Sequence, residues 1–261
     1  MKRGWLMKKM LDGKVILVSG GGGGIGSAAC AVLAEHGARL VVSDINQTAG
    51  ETVAKSVCKA GGEAIYLEAD LESEAAIEQL VAETLAHYGR LDGAFNNAGV
   101  EQSNIPLTEL SLEQWERALR IDLTAVFLCI KHQAPAMLLS GGGAIVNTAS
   151  GLAQIAIANA AEYVSAKHGV VGLTRAAAVE LGGQNIRVNS VLPGIVETDL
   201  ISRLAEQPEF KAFLGRSKDR HLMGRFPAPR EIGEASVFLC GDEASYITGE
   251  VLRVNGGMLM G

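Results

Sequence analysis

Cysteine is scarce in this chain of 261 residues, which has only Cys30, Cys58, Cys129 and Cys240. The four lie far apart in apolar stretches, form no Cys-x-x-Cys pair and have no metal-ligand spacing with the five histidines. This pattern favours neither a disulfide framework nor a metal site. We expect four buried free thiols in a protein of the reducing cytoplasm.

The chain also lacks the long apolar runs and the excess of basic residues that mark membrane and nucleic-acid-binding proteins. No apolar run reaches the length of a membrane span. The apolar part of residues 1–10, Trp5-Leu6-Met7, is too short for a secretory signal, so we expect a frayed extension there, with Met7 or Met10 as an alternative start. The net charge of −6 argues against nucleic acid or anionic membrane as a partner.

Apolar residues are abundant, at 48% of the chain, and strand-like runs alternate with helical patterns from end to end. This alternation predicts an α/β fold with a doubly wound parallel sheet of about seven strands. No linker or repeat divides it, so residues 11–261 are predicted to form a single domain. The predicted strands are 14–19, 39–43, 63–68, 91–95, 143–149, 185–192 and 250–254, and the predicted helices are 25–36, 47–60, 73–88, 111–139, 160–182 and 229–240.

Glycine is concentrated between the first strand and the first helix, in the stretch from Ser19 to Gly26. A strand, a glycine turn and a helix start together can form a phosphate cradle, because glycine allows close backbone approach and the helix N-terminus attracts anions. Five consecutive glycines satisfy almost any glycine pattern, however, and a flexible turn explains them about equally well.

Asp44 makes the cofactor interpretation stronger. It ends the second strand, 18 residues after Gly26, where a carboxylate can bind both ribose hydroxyls of an adenosine and repel a 2′-phosphate. Neither the glycine loop nor residues 40–50 contain Lys or Arg. The sequence therefore predicts NAD(H) as the cofactor rather than NADP(H).

Further polar and turn-forming residues follow the other strands, and the carboxyl ends of parallel strands line a common cleft. Asn97-Ala98-Gly99, which by itself is better explained by a plain turn, follows the fourth strand. The remaining positions of this kind are Asp70, Ser150 and Pro193-Gly194, with Thr198 placed to reach a carboxamide.

Ser150, Tyr163 and Lys167 suit the oxidation of a secondary alcohol. The spacing of Tyr163 and Lys167 puts phenol and ammonium on one helix face, downstream of a serine at a strand end. As a hydride leaves carbon, a base must take the hydroxyl proton, and a nearby ammonium favours the phenolate that can do so. Ser150 would hydrogen-bond the substrate oxygen.

Together these motifs resemble the short-chain dehydrogenase/reductase family of NAD-preferring type, over Leu11 to Gly257. The motifs that carry the resemblance are Ser19-Gly20-x-x-x-Gly24-Ile25-Gly26, Asn96-Asn97-Ala98-Gly99, Ser150, Tyr163-x-x-x-Lys167, Pro193-Gly194 and Ile247-Thr248-Gly249…Asn255-Gly256-Gly257. The resemblance implies a Rossmann-like fold and a homotetramer that pairs helices 111–139 and 160–182 across an interface.

It also implies roles for individual residues. Tyr163 would be the acid/base, Lys167 its activator and a ribose ligand, and Ser150 the partner of the carbonyl oxygen. The implied cofactor-binding residues are Gly20, Gly24, Ile25, Gly26, Asp44, Asp70 and Leu71 beside the adenine, Asn97, Ala98, Gly99, Tyr163, Lys167, Pro193, Gly194, and Val196 and Thr198 at the carboxamide.

Two positions depart from the family pattern. Ser19 replaces the usual Thr and keeps the hydroxyl, whereas Asp122 replaces an Asn whose backbone holds a water in a proton relay. Asp122 has the same backbone group, so we expect the relay to survive. Its carboxylate would disfavour the phenolate of Tyr163 or hold Lys167, and we expect Asp122→Asn to be active with a shifted pH profile.

The substrate is less well determined by sequence. Residues 199–221 are predicted to form a lid, and the residues after Ser150 are small or aliphatic. Such a pocket favours an apolar or cyclic, steroid-like alcohol or ketone. The same apolar residues are equally explained if they only pack the lid against the rest of the protein.

The alternative functions are a 3-oxoacyl thioester reductase, a sugar dehydrogenase and, in a different class, a non-catalytic NAD-binding regulator. The apolar lid residues are Leu200, Ile201, Leu204, Phe210, Phe213 and Leu214, and the basic residues that could bind an acidic carrier are Lys211, Arg216, Lys218, Arg220, Arg225 and Arg230.

Overall fold

The computed structural model describes residues 9–198, 201–203, 206, 208–258 and 260, and for residues 208–213 it describes the backbone alone. The extension predicted at residues 1–10 therefore lies almost wholly outside the described residues. So do Leu200 and Leu204 of the predicted lid and the side chains of Lys211, Phe210 and Phe213.

The fold is built on one parallel sheet of seven strands in the order β3-β2-β1-β4-β5-β6-β7, which confirms the predicted architecture. The strands are β1 (Val15–Ser19), β2 (Arg39–Asp44), β3 (Glu63–Glu68), β4 (Gly93–Asn96), β5 (Gly143–Thr148), β6 (Ile186–Pro193) and β7 (Val251–Val254). The chain order reverses at β1, where Ser19 pairs with Ser43 of β2 on one side and Asn96 of β4 on the other. In open α/β sheets such a switch point is where ligands bind.

Helices cover both faces of the sheet. They are α1 (Gly24–Glu35), α2 (Gln47–Lys59), α3 (Glu74–Tyr88), α4 (Leu112–Leu119), α5 (Ala125–Leu139), α6 (Ala161–Leu181), α7 (Pro208–Asp219) and α8 (Pro229–Cys240). Successive residues of β1 pack on opposite faces, with Leu17 in one buried cluster and Ile16 and Val18 in the other. This explains why the central strands are continuous apolar runs rather than alternating ones.

The predicted single helix over 111–139 is interrupted. Ser111 starts α4 with a reciprocal capping box to Gln114, and a π-helical turn over Arg120–Thr124 separates α4 from α5. Turns of this type are frequent at functional sites. This one carries the fully buried Asp122.

The expectation that all four cysteines are buried is wrong for Cys58. Cys30, Cys129 and Cys240 are buried free thiols, but Cys58 is exposed. Helix α2 buries Gly50, Ala54 and Val57. Cys58 follows Val57 and is rotated from it by about 100° around the helix axis, which turns its side chain away from the buried face.

Within the described parts of the chain, no helix combines the length and apolar character required to cross a membrane. The same residues contain no group of three or more His, Cys, Asp or Glu side chains that could hold a metal ion.

Candidate active site

The glycine loop closes tightly onto the residues after β4. Gly20 has a φ of +62°, and a Cβ there would lie 2.8 Å from the Cα of Ala98. A Cβ at Gly26 would lie 2.1 Å from the carbonyl oxygen of Gly20. Both positions therefore require glycine, which a flexible turn would not.

The N-terminus of α1 is open to an anion. Its N-cap, Gly23, offers no side-chain acceptor, and the first turn holds no acidic residue, whereas Asn46 and Ser73 cap α2 and α3. Among the residues that the structure describes, no side chain caps the N–H groups at the start of α1, an arrangement that suits a pyrophosphate.

The carboxylate of Asp44 is fixed beside this loop. Its Oδ2 accepts a hydrogen bond from Gly22 N–H at 2.9 Å, and its Oδ1 accepts one from Asn46 N–H at 2.9 Å. The backbone carbonyl of Asp44 accepts a bond from the Tyr66 hydroxyl at 2.7 Å. The side chain predicted to select the ribose is therefore at the glycine loop.

Ser19 and Asn97 join the ends of β1 and β4. The Oγ of Ser19 accepts bonds from the N–H groups of Asn97 at 3.1 Å and Ala98 at 3.3 Å, and Asn97 Nδ2 donates to Gly20 O. The serine hydroxyl that replaces the expected threonine thus has a structural function.

The turn after β6 approaches the same helix start, since a Cβ at Gly24 would lie 2.8 Å from Cγ2 of Thr198. The segment from Pro193 to Thr198, which includes Gly194 and the buried Val196, therefore borders the glycine loop.

Asp70 and Leu71 follow β3 at the same edge of the sheet, and Asp70 Oδ1 accepts a local bond from Glu72 N–H. Their place beside an adenine stays a prediction.

Ser150, Tyr163 and Lys167 lie at the carboxyl end of β5. Ser150 Oγ accepts a bond from Leu152 N–H at 3.1 Å, at the start of a 3₁₀ turn (Gly151–Ala153) that packs against α6. Tyr163 and Lys167 are one turn apart near the start of α6. Lys167 Nζ lies 5.5 Å from the centre of the Tyr163 ring and donates to Thr148 O at 3.3 Å.

Asp122 makes an ion pair with the lysine. Its Oδ1 lies 3.1 Å from Lys167 Nζ and accepts a bond from Val100 N–H at 3.1 Å, whereas its Oδ2 has no hydrogen-bond partner among the described residues. Burial raises the pKa of Asp122 above its usual value, against the opposing effect of Lys167. Burial lowers the pKa of Lys167, but the negative charges of Tyr163 and Asp122 outweigh it, so that pKa is raised.

Sequence reasoning missed the bond from Val100 to Asp122 and also a contact of Glu162. Glu162, the residue before Tyr163, is buried, and its Oε1 accepts bonds from the backbone N–H of Ser103 at 2.7 Å and from the Ser103 Oγ at 2.6 Å. A glutamate next to the tyrosine is visible in the sequence. Its partner, 59 residues away in the loop after β4, is not.

The apolar lid can be followed only in part. Leu214 of α7 is buried and Ile201 is half-buried. Two of the basic residues considered for an acidic carrier are paired, because Arg225 binds Glu231 and Arg230 binds Glu35 and Glu234.

Known proteins are similar to this chain over nearly its whole length. A family model described as Enoyl-(Acyl carrier protein) reductase matches residues 20–259. The 2,5-dichloro-2,5-cyclohexadiene-1,4-diol dehydrogenase of Sphingobium indicum is 45% identical over 95% of this chain and 97% of its own. The cyclohexanol dehydrogenase of an Acinetobacter species is 39% identical over 96% and 97% of the two chains.

A solved structure, that of NAD⁺-bound xylitol dehydrogenase, superposes with a TM-score of 0.90 at 32% identity, over 95% of this chain and 99% of that one. The sequence matches, the seven-stranded parallel sheet and the glycine loop agree with one another. The chain is a member of the short-chain dehydrogenase/reductase family, a family of oxidoreductases that use nicotinamide cofactors.

Proposed function

We propose that this chain is an NAD-dependent dehydrogenase that interconverts a cyclic secondary alcohol and the corresponding ketone, with Ser150, Tyr163 and Lys167 as the catalytic residues. The observation that carries the proposal is the position of the buried Lys167 ammonium, 5.5 Å from the Tyr163 ring at the carboxyl end of β5. A non-catalytic NAD-binding protein would not need this arrangement.

The lysine has a donor left for catalysis. An ammonium has three N–H groups, and two of them are directed at Thr148 O and Asp122 Oδ1. The third is available to the ribose of the cofactor or to the phenolate. The positive charge beside the tyrosine favours the phenolate, so Tyr163 Oη accepts the proton of the substrate hydroxyl in oxidation and returns it in reduction.

Ser150 can hold the reacting oxygen. Its Oγ already accepts a bond from Leu152 N–H, so its own proton remains free to be donated. A donor fixed in this way stabilises the charge that develops on the substrate oxygen. The bound nicotinamide supplies the other half of the chemistry by accepting or delivering the hydride.

The residues present fit a dinucleotide. The uncapped start of α1 and the close packing at Gly20 and Gly26 leave backbone N–H groups for the pyrophosphate. Asp44 would bind the ribose hydroxyls and repel a 2′-phosphate, which favours NAD over NADP. The NAD⁺-bound xylitol dehydrogenase structure supports the same choice.

The cyclic alcohol is favoured by two independent observations. Two relatives, at 45% and 39% identity, are named as dehydrogenases of six-membered ring alcohols. In this chain the segment after Ser150 contributes the half-buried aliphatic side chains of Leu152, Ile155 and Ile157. An apolar ring carrying one reacting hydroxyl suits such a wall.

We also propose a cytoplasmic homotetramer that pairs α5 and α6 across an interface. Leu139 of α5 is 81% exposed and Val179 of α6 is 85% exposed, and Phe127 adds a third apolar side chain on α5. Exposed apolar residues on these two helices favour burial against a second copy. Light scattering coupled to size exclusion measures the mass directly, and a monomer would contradict the proposal.

The test of the reaction is NADH production at 340 nm with NAD and with NADP. The panel contains cyclohexanol, cyclohexanediols, a hydroxysteroid, xylitol and a 3-hydroxyacyl thioester. We expect the highest kcat/KM with NAD and a ring alcohol. Tyr163→Phe, the matched control, is expected to lose about 10²- to 10⁴-fold in kcat while still binding NADH. NADH binding without turnover of any compound would favour the non-catalytic alternative.

A further inference from the structure

The segment between β4 and α4, residues 97–111, runs past the catalytic tyrosine without regular secondary structure apart from a turn at residues 107–109. Beyond the bonds of Asn97 and Ala98 to Ser19 and Gly20, it has two further attachments near the site. Val100 N–H donates to Asp122, and Ser103 donates twice to Glu162. The second attachment joins the segment to α6 directly beside Tyr163 in the chain.

Glu162 is unusual because it is 2% exposed and has no described basic partner. Burial works to raise the pKa of Glu162, but the two bonds from Ser103, with the N–H groups of Glu162 and Tyr163, outweigh it and hold the pKa below its usual value. The group is therefore a carboxylate that depends on Ser103, because a buried charge is costly unless it is hydrogen-bonded.

The backbone next to Ser103 adopts a left-handed turn. Asn104 has a φ of +57°, in a region that few residues other than glycine adopt and that asparagine adopts more readily than most. Such a conformation persists where surrounding contacts hold it, and the paired bonds of Ser103 are the contacts present one residue earlier.

We propose that Glu162 is a positioning residue that fixes the segment 100–106 against α6 and so sets one wall of the substrate pocket beside Tyr163. This inference rests on the proposed function. Glu162 takes no part in proton transfer, which belongs to Tyr163. Loss of the carboxylate loosens the wall, so the substrate is held less well while the chemistry of bound substrate is preserved.

Kinetics separate this role from a catalytic one. In Glu162→Ala we expect the KM for the ring alcohol to rise about 10-fold, with kcat within about 3-fold of the unmodified protein and the KM for NAD unchanged. Glu162→Gln keeps an oxygen acceptor, so it should restore most of the loss. Glu180→Ala, an exposed glutamate at the far end of α6, is the matched control and should change nothing.

Hydrogen exchange of the protein without substrate or cofactor provides a second readout. Peptides covering residues 100–106 should exchange faster in Glu162→Ala than in the unmodified protein. Ser103→Ala keeps the backbone N–H that donates to Glu162, so exchange there should also be faster, but by a smaller factor. Unchanged exchange, or a fall in kcat at constant KM, would overturn the inference. If Glu162→Ala does not fold, Ser103→Ala decides by the same criteria. Failure of the unmodified protein to oxidise any ring alcohol would count against the proposed function, and the exchange result would still decide the attachment.

Discussion

Lys167 Nζ and Asp122 Oδ1 lie 3.1 Å apart, and both side chains are almost completely buried. The same carboxylate oxygen accepts a bond from Val100 N–H, so one side chain holds both Lys167 and the segment after β4. The sequence predicted that this carboxylate would either disfavour the phenolate of Tyr163 or hold Lys167, and its contact is with Lys167.

Asp122→Asn should keep activity and shift the pH profile toward acid. The negative charge of Asp122 helps to raise the pKa of Lys167. Without it the lysine loses its proton at lower pH, so the alkaline limb of the kcat profile moves to lower pH. Initial rates of alcohol oxidation between pH 6 and 11 measure this limb.

Two results would contradict this prediction: an inactive Asp122→Asn variant, or a profile displaced toward alkali. Asp122→Ala is the useful comparison, because it leaves the buried ammonium without its carboxylate partner and with Thr148 O as its remaining described acceptor. We expect that variant to be destabilised by about 3 kcal/mol or more, as measured by urea unfolding.

Asp44→Ala should weaken the discrimination between the two dinucleotides. The variant loses the carboxylate that repels a 2′-phosphate, together with the bonds from Gly22 and Asn46. We expect the KM for NAD to rise about 10-fold, the loss of roughly 1.4 kcal/mol of binding, and the ratio of kcat/KM for NAD and NADP to fall further. A ratio that stays the same would show that Asp44 does not select the cofactor.

Gly99→Ala tests the packing around the ion pair. A Cβ there would lie 2.5 Å from Asp122 Oδ1 and 3.3 Å from Lys167 Nζ. Because both groups are buried, the added methyl should cost about 1–3 kcal/mol of stability and lower kcat. Gly183→Ala is the control, since Gly183 lies beyond the end of α6, has no left-handed φ and would place a Cβ with nothing within 4 Å. It should stabilise the protein by about 0.4–1 kcal/mol. Equal effects of the two variants would contradict the packing argument.

The strands and the helix bounds were largely predictable because local signals mark them. Helix α8 begins at Pro229 and ends at Cys240, as the sequence predicted, since proline is favoured in the first turn and Gly241 follows the last turn. The π-helical turn at Arg120–Thr124 has no such signal. Its residues read as ordinary helix, and only the buried polar Asp122 within an apolar stretch indicated a special position.

Pairings across the sequence could be predicted only where a motif specifies them. The spacing of Tyr163 and Lys167 puts both on one helix face, and the structure has them there. The bonds from Ser103 to Glu162 and from Val100 to Asp122 depend on how an irregular segment crosses the cleft. No periodicity describes such a segment, so these contacts required the structure.

The exposure of Cys58 leads to the last prediction. Burial raises the pKa of Cys30, Cys129 and Cys240 to about 12, so at pH 8 these thiols are protonated as well as shielded. Because the thiolate is the reactive form, an aromatic disulfide reagent should modify one thiol rapidly in the native protein and four after unfolding in guanidinium. Cys58→Ser should remove the rapid phase and leave activity intact. Rapid modification of two or more thiols in the native protein would show that the cores around α1, α5 and α8 open far more often than their burial implies.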